Sequence, residues 1–239
     1  MRLVTLNLRH GGVRHMPAVL DKLLGYKADL LVLTEFRNNP TGAALREALA
    51  GKGLVHQQVS HGEPRSNAVL VAAKAGFRAA PRKLLRFDKG RMISVRFADF
   101  LLVGVHLPNV LAKLPHWDAL LRLADKPRAE PRMLVGDFNT GRNPQDAQGF
   151  RFSCAEQMEA LEQRGWVDAW RKLHPQAREY SWYSHKGRGF RLDHVFLSPS
   201  LAPRLGGARF DHTVRKRGYS DHSALIVDLA PAPAERRRP

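Results

Sequence analysis

The stretch Met133-Leu134-Val135-Gly136-Asp137-Phe138-Asn139 sets two polar side chains directly after a short apolar run. Leucine and β-branched residues in such a run are typical of a buried strand. We therefore predict a strand over residues 132 to 137 that carries Asp137 and Asn139 to one edge of a sheet. Taken alone, the same stretch also fits a plain strand-to-turn sequence, in which Asp and Asn bond neighbouring backbone.

Other apolar runs end in the same way. Three of them close on a strong polar side chain, namely Asn7, Glu35 and His106. Two later segments carry similar groups, Asp193 within residues 191 to 197 and Asp221-His222 just before the last run. If these strand ends meet at one rim of the fold, they gather the polar side chains into a single pocket.

The remaining pattern predicts a mixed α/β fold. Strands are expected at residues 2 to 8, 29 to 35, 67 to 73, 91 to 97, 100 to 106, 132 to 137, 191 to 197 and 223 to 229. Helices are expected at residues 15 to 25, 41 to 51, 111 to 124 and 154 to 171. Thr41 and Ser153 are the expected N-caps, and Ala98-Asp99 the turn of a hairpin. Because strands occur both in succession and between helices, we expect two sheets packed together with helices outside.

Length and composition favour one domain. The chain has 239 residues, of which 44% are hydrophobic, enough for one substantial core. We expect a single domain over residues 1 to 230, since no linker or internal repeat divides it. The tail at residues 231 to 239, rich in Pro and Ala and then in Arg, is expected to be disordered.

The charge balance favours an acidic partner. Lys and Arg number 39 against 22 Asp and Glu, a formal charge of +17, which attracts polyanions such as nucleic-acid phosphates. A merely soluble basic surface is the alternative. Three basic clusters stand out along the chain: Arg82, Lys83, Arg86, Lys89 and Arg91; His185-Lys186-Gly187-Arg188; and Arg215-Lys216-Arg217.

Cysteine usage and hydropathy bear on the compartment. Cys154 is the sole cysteine, which excludes an internal disulfide and a cysteine-based zinc site. This fits a reducing compartment, and we expect the chain in the cytoplasm. The N-terminal apolar run is too short for a signal peptide, and no stretch approaches the ~20 apolar residues of a membrane span. We therefore expect no stable membrane insertion, and we predict no oligomeric state.

The polar residues at the strand ends suit the hydrolysis of a phosphodiester. Glu35 and Asn7 offer the oxygen ligands that Mg²⁺ prefers, with several waters left in place. A buried carboxylate such as Asp137 is suited to orient and deprotonate a water. Asp193 would fix the ring of His222 beside the phosphoryl oxygens. The residues expected to bond the non-bridging oxygens are Asn139 and His106.

Together these motifs resemble the endonuclease/exonuclease/phosphatase superfamily. The matching residues are Asn7, Glu35, Gly136-Asp137-Phe138-Asn139, Arg191-Leu192-Asp193-His194 and Ser220-Asp221-His222. Within the superfamily, Tyr180-Ser181-Trp182-Tyr183 followed by Gly189-Phe190-Arg191 is similar to the exonuclease III and apurinic endonuclease branch. The resemblance implies a four-layered α/β sandwich like that of deoxyribonuclease I, dependence on Mg²⁺ or Mn²⁺, and a role in DNA repair.

The resemblance also implies roles for single residues. It makes Glu35 a metal ligand, Asn7 a ligand or water anchor, and Asp221 a further metal or water contact. Asp137 activates water, Asn139 binds phosphate, and Asp193 with His222 forms the paired dyad. The products would carry a 5′-phosphate and a 3′-hydroxyl.

His106 departs from the branch pattern, where a Tyr usually precedes the Pro-Asn pair found here as Pro108-Asn109. A histidine at this place resembles the deoxyribonuclease I-like and sphingomyelinase-like branches, in which it binds phosphate or helps protonate the leaving oxygen. A core histidine bonded to backbone is the alternative. Asn67, just before a predicted strand, is similar to an Asn that these branches place near the phosphate.

The expected substrate is a nucleic acid, with DNA favoured. Trp182 could stack on a base or simply pack in the core, and Lys186 and Arg188 would contact the phosphate backbone. The alternative is a phosphodiesterase or phosphatase acting on a phospholipid, an inositol phosphate or another small phosphoester. A nucleic-acid-binding module without catalysis is a third reading, disfavoured because all six candidate catalytic groups are present. Whether DNA or RNA is cut, internally or from an end, stays open.

Two further Asp-His dipeptides need separate readings. Asp193-His194 lies within a strand, so the two side chains point to opposite faces, and Asp193 faces the site if Arg191 does. His194 is then structural. Asp211-His212 matches no motif, and we expect it in a solvated loop.

Overall fold

Strands and helices alternate along the chain in the computed structural model, which describes residues 1–12, 14–80, 90–126 and 130–232. The strands, in chain order, are β1 (Arg2–Asn7), β2 (Leu30–Phe36), β3 (His56–Val59), β4 (Ala68–Ala73), β5 (Arg78–Ala79), β6 (Met92–Arg96), β7 (Leu101–His106), β8 (Arg132–Asp137), β9 (Val167–Asp168), β10 (Trp182–Tyr183), β11 (Gly189–Phe190), β12 (Asp193–Leu197), β13 (Leu205–Asp211) and β14 (Ala224–Leu229). The α-helices are α1 (Met16–Gly25), α2 (Pro40–Ala50), α3 (Leu114–Ala124), α4 (Ala155–Gln163), α5 (Ala169–Leu173) and α6 (Thr213–Lys216).

Most strands belong to two six-stranded mixed sheets. The first has the order β13-β14-β1-β2-β4-β3 and the second β5-β6-β7-β8-β12-β9, while β10 and β11 form a small hairpin of their own. One parallel pair lies at the centre of each sheet, β1 with β2 and β7 with β8. The predicted hairpin is confirmed, since β6 and β7 pair antiparallel around Ala98-Asp99.

The two sheets pack face to face, and alternation along each strand decides which side chains enter the central core. Leu3 and Leu102 point between the sheets, whereas their neighbours Val4 and Val103 point outward. The outward face of the first sheet is covered by α1 and α2, and that of the second by α3 and α4. The layers are therefore helix, sheet, sheet and helix, which confirms the predicted four-layered α/β sandwich.

Gly136 allows β8 to pass close to β7. Its φ is +136°, and a Cβ built there would lie 2.1 Å from the carbonyl oxygen of Val105. Only glycine adopts that backbone region without strain. The glycine therefore sets the path of the chain immediately before Asp137.

Several predicted boundaries were wrong. Helix α2 starts at Pro40, with Asn39 as the N-cap in place of Thr41, because the Asn39 side chain accepts a hydrogen bond from the backbone N–H of Gly42. The predicted helix over residues 154 to 171 is broken after Gln163, and Ser153 does not cap it, since Cys154 occupies the N-cap position. Gly165, at φ +84°, lies at this break, before β9 pairs with β12.

The segment around Asp211 was also misread. It ends strand β13, and Asp211 accepts a hydrogen bond from the Tyr26 hydroxyl at 2.9 Å. His212 is half-buried and bonds both Ser223 and Glu179. The pair therefore belongs to the packed structure and not to a solvated loop.

Some predictions fall outside the described residues. They concern Arg82, Lys83, Arg86 and Lys89 of the first basic cluster and residues 233 to 239 of the tail. Within the ranges that are described, no helix is both long and apolar enough to cross a membrane.

Candidate active site

Four strands deliver polar side chains to one rim of the sandwich. Asn7 ends β1, and His106 and Asp137 end the parallel strands β7 and β8. The antiparallel strand β12 begins at the same rim, so that His106, Asp137 and Asp193 lie opposite one another in register. Parallel neighbours end at the same edge, and for this reason residues distant in sequence meet there.

These side chains surround a cavity of about 440 Å³. Seven of the twelve predicted site residues line it: Glu35, His106, Asp137, Asn139, Trp182, Asp221 and His222. Asn7 and Asp193 lie directly behind this lining and contact it through hydrogen bonds.

His222 and Asp193 form a buried pair. His222 Nδ1 lies 2.8 Å from Asp193 Oδ2, and Asp193 has no solvent exposure. Burial opposes a charge on the ring, but the carboxylates of Asp193 and Asp137 outweigh it and raise the pKa of His222 to about 10. The imidazole is therefore protonated at neutral pH, with Nε2 3.9 Å from Asp137 Oδ2.

Two serines hold this pair in place. Ser220 Oγ donates to the backbone oxygen of Asn7 at 2.6 Å and accepts from the backbone N–H of His222 at 3.0 Å. Ser181 Oγ accepts from the backbone N–H of Leu192 and, at 3.3 Å, from that of Asp193. The dyad is thus anchored to both sheets by hydroxyl groups that sequence reasoning assigned no role.

Asp137 lines the cavity and is almost completely buried. Its Oδ1 accepts from the backbone N–H of Asn139 at 2.9 Å, and its Oδ2 accepts from Asn7 Nδ2 at 3.1 Å. Burial raises the pKa of Asp137 to about 7, with Asp193 adding to the effect and His222 opposing it. A carboxylate with such a pKa can take up a proton near neutral pH.

Asn7 joins the two carboxylates of the rim. Its amide nitrogen donates to Glu35 Oε1 at 3.2 Å as well as to Asp137, while its oxygen accepts from the backbone N–H of Arg9. The amide oxygen thus accepts one hydrogen bond from the protein and keeps a second lone pair. The contacts place Asn7 as a bridge between Glu35 and Asp137, and its role as metal ligand or water anchor stays a prediction.

Glu35 is the carboxylate best placed for a cation. It lies at a break in the β2–β4 register with φ +51°, a left-handed conformation that turns it to the cavity. Burial would raise its pKa, but His106, the backbone N–H of His10 and Asn7 lower it below the ordinary value. Glu35 is ionised at neutral pH, as a ligand for a hard cation must be.

A second set of groups could also hold a metal ion. Each of three residues, Asp137, Asp193 and His222, offers one possible ligand atom. These three atoms lie within 4.8 Å of one another. Oδ1 of Asp193 is buried and has no hydrogen-bond partner within the described residues. A protonated His222 offers no lone pair, however, so this set suits a proton-bearing dyad better than a metal.

His106 is buried beside Glu35, with Nε2 3.6 Å from Glu35 Oε1. Burial lowers the pKa of His106 to about 4, with Arg91 and His222 contributing, while Glu35 opposes the shift. The ring is therefore neutral at pH 7, and its contact with Glu35 is no ion pair. Its Nδ1 has no hydrogen-bond partner in the described chain, unlike a core histidine bonded to backbone.

The match to a known family decides the class of the protein. A family model described as the Endonuclease/Exonuclease/phosphatase family matches residues 4–222, which include every rim residue from Asn7 to His222. The chain belongs to the endonuclease/exonuclease/phosphatase family. Membership in this family makes the chain a hydrolase of the nuclease and phosphatase class.

The chain is similar to curated proteins that are named for DNA repair. It is 31% identical over 166 residues to the DNA repair nuclease APEX1 of Danio rerio, covering 59% of this chain and 53% of that one. It is 26% identical over 165 residues to Recombination repair protein 1 of Drosophila melanogaster, covering 59% of this chain and 24% of that one. The matched region thus spans about half or less of these relatives.

Several solved structures share the fold of this chain. A 3′ phosphatase from Neisseria bound to product DNA hairpin superposes with a TM-score of 0.82 at 22% identity, covering 97% of this chain and 100% of that one. An AP endonuclease from Archaeoglobus fulgidus gives a TM-score of 0.81 at 20% identity, with the same coverage. At these identities the likeness concerns the fold alone.

One wall of the family member's cavity is aromatic. Trp182 Nε1 donates to Asp221 Oδ2 at 3.2 Å, and the Trp182 ring packs against Phe190 at 5.6 Å between centroids. Trp182 therefore both packs and lines the cavity, and its stacking on a base stays a prediction. Phe150 and Phe152 extend this wall.

The sequence analysis missed Lys113, which is buried and lines the active-site cavity. Its Nζ donates to the backbone oxygen of Asn139, and burial lowers its pKa to about 8. Asn139 itself donates to the backbone oxygen of Leu107 and has a left-handed φ of +46°. The sequence offered only a lysine in the first turn of the helix predicted over residues 111 to 124 as a signal.

The remaining predicted substrate residues of the family member do not line this cavity. Lys186 and Arg188 are exposed at the tip of the β10–β11 hairpin. Asn67 lies one residue before β4 and lines an adjoining cavity, in which its side chain bonds Arg37.

A buried ionic network lies behind the dyad. Arg191 donates to Asp146 and, at 2.7 Å, to Asp168, and Asp168 also bonds His194 Nδ1 at 3.0 Å. His194 is therefore structural, as predicted. Arg191 shares this side with His194 although Asp193 faces the site, because Arg191 precedes β12 and does not follow its alternation. The sequence analysis let Asp193 face the site only if Arg191 does, and that condition was wrong.

Proposed function

We propose that the chain is a divalent-metal-dependent nuclease that hydrolyses DNA phosphodiesters to 5′-phosphate and 3′-hydroxyl ends. The observation that carries the proposal is the protonated pair of His222 with Asp193, set 3.9 Å from Asp137 in one cavity. A base and a cationic hydrogen-bond donor, both buried, are what in-line attack of water on a phosphodiester requires.

Asp137 acts as the base in this proposal. A water between Asp137 and the phosphorus gives its proton to the carboxylate while its oxygen forms the new P–O bond. The bond from phosphorus to the 3′-oxygen breaks, the electron pair leaves with that oxygen, and the oxygen takes a proton from solvent water to become the 3′-hydroxyl. The pKa of about 7 keeps a substantial fraction of Asp137 ionised at neutral pH.

His222 and its neighbours stabilise the developing charge. The imidazolium Nε2–H can donate to a non-bridging oxygen, while Asp193 holds the ring in position through Nδ1. His106 and Lys113 line the same cavity and offer further donors. These groups are fixed by the fold before substrate arrives, so they need no reorganisation during reaction.

The residues present fit Mg²⁺ or Mn²⁺. Glu35 is ionised, faces the cavity and would be the principal ligand, with Asp221 a further contact directly or through water. A bound divalent cation would supply Lewis-acid stabilisation of charge on the phosphoryl oxygens. Asn7 keeps Glu35 and Asp137 at a constant separation through its two hydrogen bonds.

DNA is the favoured substrate because of charge and relationship. The formal charge is +17, and the relative at 31% identity is named a DNA repair nuclease. A positive surface attracts the phosphate backbone irrespective of base sequence.

The test is a panel of labelled substrates with Mg²⁺ or Mn²⁺: single-stranded, double-stranded and abasic DNA, RNA, and an aryl phosphodiester. Each is run with an Asp137→Ala variant and with EDTA. We expect cleavage of a DNA substrate that vanishes in both controls. Cleavage of the aryl phosphodiester alone would support the small-phosphoester reading, and cleavage that survives in the variant would remove Asp137 from the mechanism.

A further inference from the structure

We propose that Lys113 is the general acid that protonates the 3′-oxygen as it leaves phosphorus. The inference rests on the proposed function and adds the group that passes a proton from solvent water to that oxygen. Lys113 is buried and lines the active-site cavity together with Asp137 and His222. Among the described residues it is the only lysine or arginine in this lining.

The backbone before Lys113 is strained. Lys113 ends a short 3₁₀ helix, Val110–Lys113, that leads directly into α3. Val110 has a φ of +48°, a left-handed conformation that β-branched residues rarely adopt. Such strain persists only where the surrounding structure imposes it, and it concentrates at functional sites. Here the turn leaves the Val110 side chain exposed and Lys113 buried at the cavity.

The Nζ of Lys113 has donors to spare. It donates one hydrogen bond, to the backbone oxygen of Asn139, whereas an ammonium group carries three N–H donors. Across the described part of the chain this is the single hydrogen bond that Nζ makes. Two donors therefore remain for a group bound in the cavity.

The surroundings of Lys113 suit proton transfer near neutral pH. Burial lowers the pKa of Lys113 to about 8, while Cys154 and Asp137 oppose the shift. Burial also raises the pKa of the Cys154 thiol, which is therefore neutral at pH 7. A general acid is most effective when its pKa lies near the operating pH, because it is then both protonated and ready to release its proton.

The other titratable donors of the cavity are less suited to this step. His106 has a pKa of about 4 and is not a cation at pH 7. His222 has a pKa of about 10, and its ring is held by Asp193 with Nε2 toward Asp137. No tyrosine belongs to the described lining. Lys113 is therefore the group left for the leaving oxygen.

Lys113 and His222 reach the cavity from different sheets. His222 lies just before β14 of the first sheet, and Lys113 just before α3, which covers the second. A phosphodiester between them can place a non-bridging oxygen at His222 Nε2 and its 3′-oxygen at Lys113 Nζ. As the P–O bond breaks, the electron pair stays on the 3′-oxygen and a proton passes to it from Nζ. The neutral amine then takes a proton from solvent water.

The test compares two DNA substrates that differ only in the leaving atom. One has the natural 3′-oxygen at the scissile phosphate, and the other has sulfur in its place. A thiol has a pKa of about 8.5, so a thiolate leaves without prior protonation, whereas an alkoxide needs the proton. Single-turnover rates are measured with Mn²⁺ for wild type, Lys113→Gln, Lys113→Arg and Lys126→Gln. Lys126 is exposed beyond the far end of α3, and its variant is the matched control.

We expect Lys113→Gln to slow cleavage of the oxygen substrate about 10²–10⁴-fold and to cleave the sulfur substrate at nearly the wild-type rate. Lys113→Arg should behave in the same way, because a guanidinium keeps its proton. In wild type, the rate on the oxygen substrate should fall as pH rises through about 8, since the acid must be protonated. The sulfur substrate should lack this fall, and Lys126→Gln should match wild type throughout.

Three results would overturn the inference. One is an equal loss on both substrates, or no loss on either, in Lys113→Gln. Another is full activity of Lys113→Arg on the oxygen substrate, which would show that a positive charge is sufficient. The third needs no variant to fold, namely the same fall in rate with pH for both substrates in wild type. Failure of the proposed function is distinct, since wild type would then cleave neither substrate.

Discussion

His222 Nδ1 lies 2.8 Å from Asp193 Oδ2, although 29 residues separate them in the chain. The pair is buried and sits 3.9 Å from Asp137 through the other ring nitrogen. This single contact orders the site, because it fixes which nitrogen of His222 faces the cavity.

We predict that Asp193→Asn reduces kcat about 10²–10⁴-fold, since the amide no longer stabilises the imidazolium or fixes its orientation. NMR titration should show the pKa of His222 falling well below its wild-type value of about 10. The matched control is Asp21→Asn, an exposed carboxylate on α1. An unchanged pKa of His222 in Asp193→Asn would contradict the assignment of the dyad.

The ionisation of Asp137 should set the acid limb of the dependence of kcat/KM on pH. A base must be deprotonated to act, so kcat/KM should rise with pH through about 7, the pKa that burial gives Asp137. Asp137→Asn should lower kcat about 10²–10⁴-fold and leave residual activity without this limb. The measurement is kcat/KM from pH 5 to 9 at constant ionic strength. A limb that persists in the variant would assign it to another group.

Replacing Glu35 should weaken the binding of a divalent metal ion. Glu35→Gln removes the ionised carboxylate that we propose as principal ligand, and the affinity for Mn²⁺ should fall about 10–100-fold. Titration calorimetry measures this directly, without turnover. Glu47→Gln, on α2 away from the cavity, is the matched control. Equal affinities in both variants would move the metal to another set of ligands.

The buried network predicts a large effect on stability. Arg191→Leu leaves Asp146 and Asp168 without their main counter-charge and should lower the free energy of unfolding by about 3–5 kcal/mol. The comparison is Arg164→Leu, whose pair with Asp125 is partly exposed and is expected to contribute about 1 kcal/mol or less. Urea unfolding of both variants gives the difference. Similar losses of unfolding free energy in the two variants would contradict a structural role for the network.

Asp168 adds a pH dependence to the same network. Burial would raise its pKa, but Arg191 and His194 lower it far below the ordinary value. A carboxylate with a depressed pKa contributes stability that is present above its unfolded pKa of about 3.9 and is lost as pH falls through the folded value. Wild type should therefore lose more stability than Asp168→Asn between pH 5 and 3.

A side chain at position 136 should clash with the backbone next to the site. Gly136→Ala should lower the free energy of unfolding by more than about 3 kcal/mol, since its Cβ would meet the Val105 backbone at φ +136°. Gly25→Ala is the control, because nothing lies within 4 Å of its Cβ at the end of α1. That variant should be neutral or more stable by up to about 1 kcal/mol. A tolerated Gly136→Ala would mean that β8 can shift away from β7.

Local pattern alone determined where the chain's chemistry would be found. Asn7, His106 and Asp137 each end an apolar run, and alternation along β12 was enough to separate Asp193 from His194. Such predictions succeed because strand periodicity and strand ends are properties of a few consecutive residues. The four-layered fold and the family followed from the order of these motifs.

Tertiary structure alone decided which of these groups touch. Lys113, His10 and Ser181 enter the site from loops or helix ends, where no periodicity marks them. Arg191 faces away from the site because it precedes β12 and its guanidinium pairs with the buried carboxylates of Asp146 and Asp168. Contacts across 130 residues, such as Asn7 with Asp137, depend on how two sheets pack, and packing is a property of the whole core rather than of any segment.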